Sequence, residues 1–536
     1  MRTTGPMNQG MGAMVSSASD APSTVETPPT NVTTSLWSPR CARWLGRRLT
    51  AVVLVMATIE SAVMIWLQYR QHVNYGTYGY DVGLYDQATW LLGQGPFSSP
   101  FLTSRGLPVW GHHVNPILIA LSPLTRLGAG AMFFSALQTV VVFLGALPIA
   151  WLTRSKTGSA AAGLALAVVY LLYPANIFFA FFYFHPELLA PLPMLLMAWF
   201  AHQRRFRFMW LCAVIALACR EEVSVVVAAF GLVLAVGAMR RRDRLLIVHT
   251  TCLCFVAAAW FVICTKLIIP GALGGEPFYL GTFYGKYGSS YADIARNLVS
   301  DPALAGGLVT DGNRGTFLLD LFGPLLFLPV FSLPVVMVIG PLMGLLMSSN
   351  PQSQSIQSHY SALLVAGLFL ATVEVVRAHW SRRWGRGLVV ALVLSSIGAS
   401  IVRSPAPWSL NRLIWKSEES HRVALDRAVA LIPNDARVSA MGNIVPHLSH
   451  RSVIYQFPNP LERYFYGEFA LEDPTAQLAR PAHFPATVDW IIVQRSGLRS
   501  FAWVADRAVA DGDFEIVFDA DDVLVLRSTR RDDVEQ

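Results

Sequence analysis

The chain has 536 residues, of which 54% are hydrophobic and only 14% charged, and its mean hydropathy is +0.45. A soluble chain of this length needs far more charge to cover its surface, so bilayer lipid must serve as part of its solvent. The net charge of +7 falls in short basic blocks between apolar runs, which argues against a nucleic-acid partner and for cytoplasmic loops under the positive-inside rule.

Residues 1–40 read as a disordered cytoplasmic N-terminus. The stretch to Thr34 is rich in Ser, Thr, Pro and Gly and almost uncharged, too polar to bury a core, and no apolar segment follows at signal-peptide distance. Arg40, Arg43, Arg47 and Arg48 then hold this end inside. The six cysteines include no CxxC pair, and all but Cys41 lie in apolar runs. They read as small buried residues rather than disulfide or zinc ligands.

An apolar run of about 20 residues crosses the hydrocarbon core as a helix. The first span is expected at Thr50–Tyr69, followed by a polar, aromatic outer loop over residues 70–116. Ile117–Leu127 is too short to cross. Met132–Leu152 closes on Arg154 and Lys156, Gly158–Pro174 goes out, and Leu188–Ala201 returns to Arg204, Arg205 and Arg207. Phe208–Cys219 and Val223–Met239 are short apolar helices divided by Arg220, Glu221 and Glu222, and Leu245–Ile269 leads to a second outer loop over 270–316. Phe317–Met347 carries Pro324, Pro329, Pro334 and Pro341 and is expected to be broken, because proline removes helical hydrogen bonds. Ser361–Val376 and Leu388–Val402 complete roughly eleven spans over residues 41–403.

An odd count puts residues 404–536 outside as a small α/β domain of plausible size. A helix is expected at Glu418–Leu431, and strands at Arg437–Met441, Val453–Phe457, Trp490–Gln494 and Phe514–Arg527. The last strand is interrupted by a turn at Asp519–Asp522. The fold class is therefore an α-helical polytopic membrane protein with a C-terminal α/β extracytoplasmic domain, in the plasma membrane.

Four outer features carry ionisable groups. In YDVGLYDQ, Asp81 and Asp86 are five residues apart and about 140° apart on an uninterrupted helix, although Gly83 allows a turn that brings both to one site. Asp81 could instead cap a helix over Gly83–Leu92. His112 and His113 are adjacent, so their side chains are expected to diverge, with at most one facing a site. In FHPE, Glu187 follows proline as ordinary helix-start chemistry, which leaves His185 with less structural excuse. Arg220-Glu221-Glu222 is the most informative feature. Charges between helices this short lie at or below the membrane surface, where they are costly unless paired or lining a wet cavity. Structurally they would be an ion pair pinning a hairpin; functionally, Arg220 suits a phosphate. His359 and Tyr360 stand at the mouth of a span, where Tyr360 could simply be an interfacial anchor.

The strings YDVGLYDQATWLLGQGPF, GHHVNPIL, FFYFHPELLAPLPMLL, CREEVSVVV, SHYSALLVAGLF and VPHLSHRSVIY resemble the domain-of-unknown-function 2079 family of predicted membrane proteins. Relatives tend to read Lys-Glu-Asp where this chain has Arg220-Glu221-Glu222. The layout is similar to that of GT-C glycosyltransferases, although YDVGLYDQ lacks the adjacent acidic pair of some members.

That resemblance implies transfer of a sugar from a polyprenyl-phosphate donor to an unknown acceptor at the cell envelope. Asp81, Asp86, Glu187 and Glu221 are then the candidate catalytic carboxylates. His112, His113, His185, Arg220, Glu222, His359 and Tyr360 are the candidate substrate-binding groups, with Asp81 as base and Arg220 on the carrier phosphate. A divalent cation could be held by the Asp, Glu and His groups, though their spacing matches no dedicated motif. The alternatives are a transporter or flippase for a lipid-linked or anionic solute, and a non-catalytic envelope-assembly protein.

Overall fold

The structure is a computed structural model describing residues 39–95, 100–274, 283–413, 419–462, 464 and 488–529. The reading of residues 1–38 lies outside these. Six helices among the described residues are long and apolar enough to cross a bilayer: Arg43–Val73, Ala131–Thr157, Val223–Arg240, Arg244–Leu273, His359–His379 and Gly385–Arg403. Ala160–Leu171 and Pro174–Phe181, bent by 54°, make a seventh if counted as one. The bend falls where Pro174 has no N–H to continue the helical ladder. Ile117–Leu127, Phe206–Leu217 and Leu333–Met347 are apolar but shorter, and the expectation of eleven crossings included segments of this kind.

The proline-rich segment breaks as its sequence demands. After helix Arg314–Phe322 the chain makes three short 3₁₀ turns, Gly323–Leu325, Leu328–Phe331 and Leu333–Val335, each with proline in its first turn, before helix Val336–Met347. Helix Ala362–His379 runs through the middle of the bundle and is buried along nearly its whole length. It is therefore apolar all round rather than on one stripe.

A two-residue ladder in the first outer loop pairs β1 (Phe101–Leu102) with β2 (Leu107–Pro108). The C-terminal region holds β3 (Val438–Ala440), β4 (Ile454–Gln456), β5 (Trp490–Gln494), β6 (Phe514–Ala520) and β7 (Val523–Ser528), in the order β4-β3-β5-β7-β6. The β3 strand is parallel to β4 and β5, whereas β7 is antiparallel to both β5 and β6. The tight β6–β7 turn uses Asp521 and Asp522 at positive φ, a conformation that short polar side chains tolerate.

Period-two alternation fills both faces of this sheet. Ile454, Ile492, Val523 and Val525 pack under helix Glu419–Ala430. Tyr455, Ile491, Val493, Leu524 and Leu526 pack on the other side against Val504, Ala505 and Ala508 of helix Ala502–Ala510.

This sheet domain is seated on the polar loop that follows helix Pro39–Val73. Tyr75 joins its core, and the Tyr75 hydroxyl donates to Asp426 Oδ1 at 3.0 Å. The Gly79 N–H donates to the Gly442 carbonyl at 2.6 Å. Thr103 Oγ1 donates to the Ile454 carbonyl and accepts from the Ile454 N–H, both at 2.9 Å. His447 stacks on His72 at 4.2 Å and lies 4.1 Å from Tyr75, where burial pushes its pKa down to about 3.

Candidate functional site

Four connections converge on one buried polar cluster. In the first, the helix Pro39–Val73 ends and the chain makes a wide π-type turn, Gly79–Gly83, carrying Asp81. Gly83 occupies the start position of helix Leu84–Gln94, so Asp81 lies in the preceding turn rather than at the cap.

The second connection, Phe182–His185, is extended and leads into a 3₁₀ turn at Pro186–Leu189. The Gln138 amide on helix Ala131–Leu144 helps to fix it, and Gln68 Nε2 also donates to the Phe182 carbonyl at 3.4 Å. Gln138 Nε2 donates to the carbonyls of Phe179 and Phe182 at 2.8 and 3.1 Å, and Gln138 Oε1 accepts the His185 N–H at 2.8 Å. Glu187 occupies the first turn, as helix-start chemistry favours, yet its Oε1 is taken by Arg220 Nη1 from the third connection. The fourth brings His359 from the start of the central helix.

The proton positions in this cluster follow from what each partner can do. A guanidinium only donates, so His113 Nε2 accepts from Arg220 Nη2 at 2.6 Å. The proton of neutral His113 then sits on Nδ1 and is donated to Glu221 Oε1 at 2.7 Å, while Glu221 Oε2 accepts the Val114 N–H at 2.9 Å. Asn115 Nδ2 donates to the Cys219 carbonyl at 2.6 Å, and the Ile117 N–H to the Ala218 carbonyl at 2.8 Å. The first outer loop is thus zipped to the charged hairpin, with Glu221 and His113 orienting Arg220. The guanidinium also meets Glu222, with Nε 3.1 Å from Oε2.

On the other flank, His185 Nδ1 lies 3.1 Å from the Tyr183 carbonyl, which can only accept. The proton is therefore on Nδ1, and Nε2 faces Asp81 Oδ1 at 3.5 Å. The His185 and His359 rings stack at 3.8 Å, and His359 Nε2 is 3.5 Å from Glu187 Oε1. Asp81, His185, His359, Glu187, Arg220, His113 and Glu221 form one continuous chain of contacts. His185, Glu187, Arg220 and Glu221 are all buried. Asp81 keeps 26% of its side chain exposed and Glu222 keeps 49%, so the cluster opens to its surroundings at these two carboxylates.

The remaining candidates sit around this chain or away from it. The His112 and His113 rings do not diverge: their centroids are 3.8 Å apart. Burial, and then the charges of Arg105, His113 and Arg220, hold the His112 pKa well below the ordinary histidine value. Tyr360 packs on His359 at 4.0 Å, and its hydroxyl accepts from Asn350 Nδ2 at 3.2 Å.

Asp86 faces the C-terminal domain. Its Oδ2 accepts from the Ser449 hydroxyl and its Oδ1 lies 3.1 Å from His450 Nε2. The turn at Gly83 does not bring the two aspartates to a common partner. Burial alone would lower the His450 pKa, but the hydrogen bond and charge of Asp86 outweigh it and the pKa is raised. Ser449, His450, Gln138 and Tyr183 escaped the sequence reading as site residues. For the first two the string VPHLSHRSVIY, already singled out, was the available signal.

The crystal structure of ArnT from Cupriavidus metallidurans bound to undecaprenyl phosphate is similar to this fold, with a TM-score of 0.50 and 10% identity over 88% of this chain and 97% of that one. The same protein in its apo state matches over the same shares, at 12% identity and a TM-score of 0.40. At such identities the likeness is one of fold. The first of these likenesses runs over most of both chains. No curated protein matches. The family described as predicted membrane protein (DUF2079) matches residues 71–525, and the chain belongs to it.

Proposed function

We propose that this protein transfers a sugar from a polyprenyl-phosphate donor to an acceptor hydroxyl on the outer face of the membrane. The observation that carries the reading is the convergence of Asp81, His185, Glu187, His359 and Arg220, from four separate connections, on one cluster beside the seam with the C-terminal domain. The fold likeness to a protein whose crystal structure holds undecaprenyl phosphate supports a lipid-linked donor. The arginine-rich loops at the opposite ends of the spans support a cytoplasmic N-terminus and an extracytoplasmic C-terminal domain.

In the proposed reaction the acceptor oxygen attacks the anomeric carbon and its proton passes to Asp81, the most accessible carboxylate on the histidine side of the cluster. A carbon–oxygen bond forms to the acceptor as the bond to the carrier phosphate breaks, and the leaving phosphate takes the electron pair. Arg220 neutralises that phosphate by exchanging Glu187 or Glu222 for a phosphate oxygen, an acceptor it can grip in bidentate fashion. Glu221 and His113 keep the guanidinium aimed while its partner changes.

The test is transfer from radiolabelled polyprenyl-phosphate hexoses in proteoliposomes, with wild type beside Asp81→Asn. General-base loss should lower the rate by about 10²–10⁴-fold. Undiminished transfer in the variant removes Asp81 from that role. Label accumulating inside the vesicles without covalent product from wild type points to transport instead.

A further inference from the structure

We propose that His185, Glu187 and His359 form a binding site for a borderline divalent cation of the zinc class. The inference deepens the reading above by sharing its cluster, but it stands on local geometry and is tested without sugar transfer. The three side chains are buried, and one donor atom from each lies within 4.8 Å of the others. Two imidazole nitrogens and a carboxylate are a donor set that suits zinc and its neighbours rather than magnesium or calcium, which take oxygen ligands. Donors around a tetrahedral zinc stand roughly 3.3 Å apart at bond lengths of about 2.0–2.1 Å, so closing donor separations of up to 4.8 Å takes shifts of up to about 1.5 Å.

Three features prepare the site. His185 Nδ1 is committed as donor to the Tyr183 carbonyl at 3.1 Å, the outer hydrogen bond that commonly fixes a metal-binding histidine in its tautomer. In the neutral ring this leaves the Nε2 lone pair facing Asp81 Oδ1 at 3.5 Å, an opposition of two acceptors that a cation between them relieves. Glu187 Oε2 is buried and has no hydrogen-bond partner among the described residues, while Oε1 is held by Arg220. One oxygen is anchored and the other is available.

Binding also requires a motion. The two rings stack with planes only 16° apart, whereas imidazoles sharing one ion lie in planes that meet at it. One of the two rings must turn out of the stack, and His185 is held in place through Nδ1. Three protein ligands leave a fourth position open, as catalytic zinc sites do, and Asp81 is the carboxylate nearest to it.

The experiment uses the full chain, purified without a histidine tag in lipid nanodiscs, and titrates it with Zn²⁺ alone. The expected result is about one zinc per chain, with affinity weakened in His359→Gln and in His185→Gln by more than the roughly 10–100-fold that losing an outer partner costs. Co²⁺ in place of zinc should give visible ligand-field absorption that both variants lose. Unfolding temperatures of the variants separate ligand loss from misfolding. Absence of saturable zinc uptake by wild type overturns the proposal. So does wild-type affinity in both variants, or Co²⁺ absorption that persists in a folded His359→Gln protein. Loss of sugar transfer with zinc binding intact would instead count against the reaction assigned above.

Discussion

Two aspartates five residues apart serve two different regions of this molecule, and their contrast separates a site from a seam. Asp81 and Asp86 both belong to YDVGLYDQ. Asp86 is 2% exposed and its carboxylate is taken up by Ser449 and His450 of the sheet domain. Asp81 is more exposed, and it faces a histidine at 3.5 Å beside a buried glutamate oxygen that lacks a hydrogen-bond partner among the described residues. A saturated cluster holds two domains together. A cluster with loose contacts and an unsatisfied acceptor can take up something else, since leaving a buried acceptor unmade is expensive.

The sharpest way to break this contrast is to remove the one cation that both charged flanks of the site share. Arg220→Met leaves Glu187 buried without its partner and deprives His113 of its donor. Removing one member of a buried pair costs about 3–5 kcal/mol, so thermal unfolding in nanodiscs should show the largest loss of any single change considered. Adding Glu187→Leu should recover part of it, because the stranded charge goes too. If Arg220→Met unfolds like wild type, the ion pair does not hold the site together.

The charged hairpin was legible in the sequence for the same reason that its loss is costly. Arg220-Glu221-Glu222 interrupts two apolar helices, and charge there demands a partner. The proline breaks after Phe322 and the alternating strands β5 and β7 were legible too, because each follows from backbone chemistry within a few residues. What the sequence could not convey is pairing over distance. Asp86 and His450 are 364 residues apart, and no local pattern in YDVGLYDQ distinguishes an aspartate that meets the sheet domain from one that meets His185. The ring contact of His112 with His113 was hidden as well, since adjacency in the chain does not fix how two rings are turned. Short apolar helices such as Phe206–Leu217 left the number of crossings open, because their length fits a full crossing poorly.

A smaller effect is expected at the seam. A Cβ added at Gly79 would stand 2.5 Å from Val445 Cβ, on the path where the Gly79 N–H meets the Gly442 carbonyl. Gly79→Val should therefore push the sheet domain off the outer loop, at the roughly 1–3 kcal/mol typical of overpacking. Limited proteolysis near residue 413 should become faster while the membrane domain stays folded. Unchanged cleavage would mean that the domain is seated mainly by its other contacts, at Tyr75 and Thr103.

The smallest effect, and the one that most directly separates seam from site, is a pH dependence. His450 is one titratable group of the seam: Asp86 Oδ1 lies 3.1 Å from its Nε2, and the Trp90 ring stacks on it at 6.3 Å. Its folded pKa is raised because Asp86 outweighs the cost of burial. A group with a raised folded pKa contributes stability in full below its unfolded value, about 6.5, and loses that contribution as pH rises through the folded value. The seam should thus loosen as pH climbs from about 6.5 upward, read as faster proteolytic release of the sheet domain. His450→Gln should be less stable than wild type at the acid end and should lose this part of the slope, because glutamine keeps a donor for Asp86 but does not titrate, while the lowered pKa of buried His447 still weakens the seam toward acid. Zinc uptake in the same preparation reports on the other cluster, and His450→Gln should leave it unchanged. A His450→Gln protein that changes seam release and keeps wild-type zinc uptake separates the two regions, as it must if Asp86 and Asp81 have the separate roles argued for them. A parallel loss of zinc uptake would join them instead.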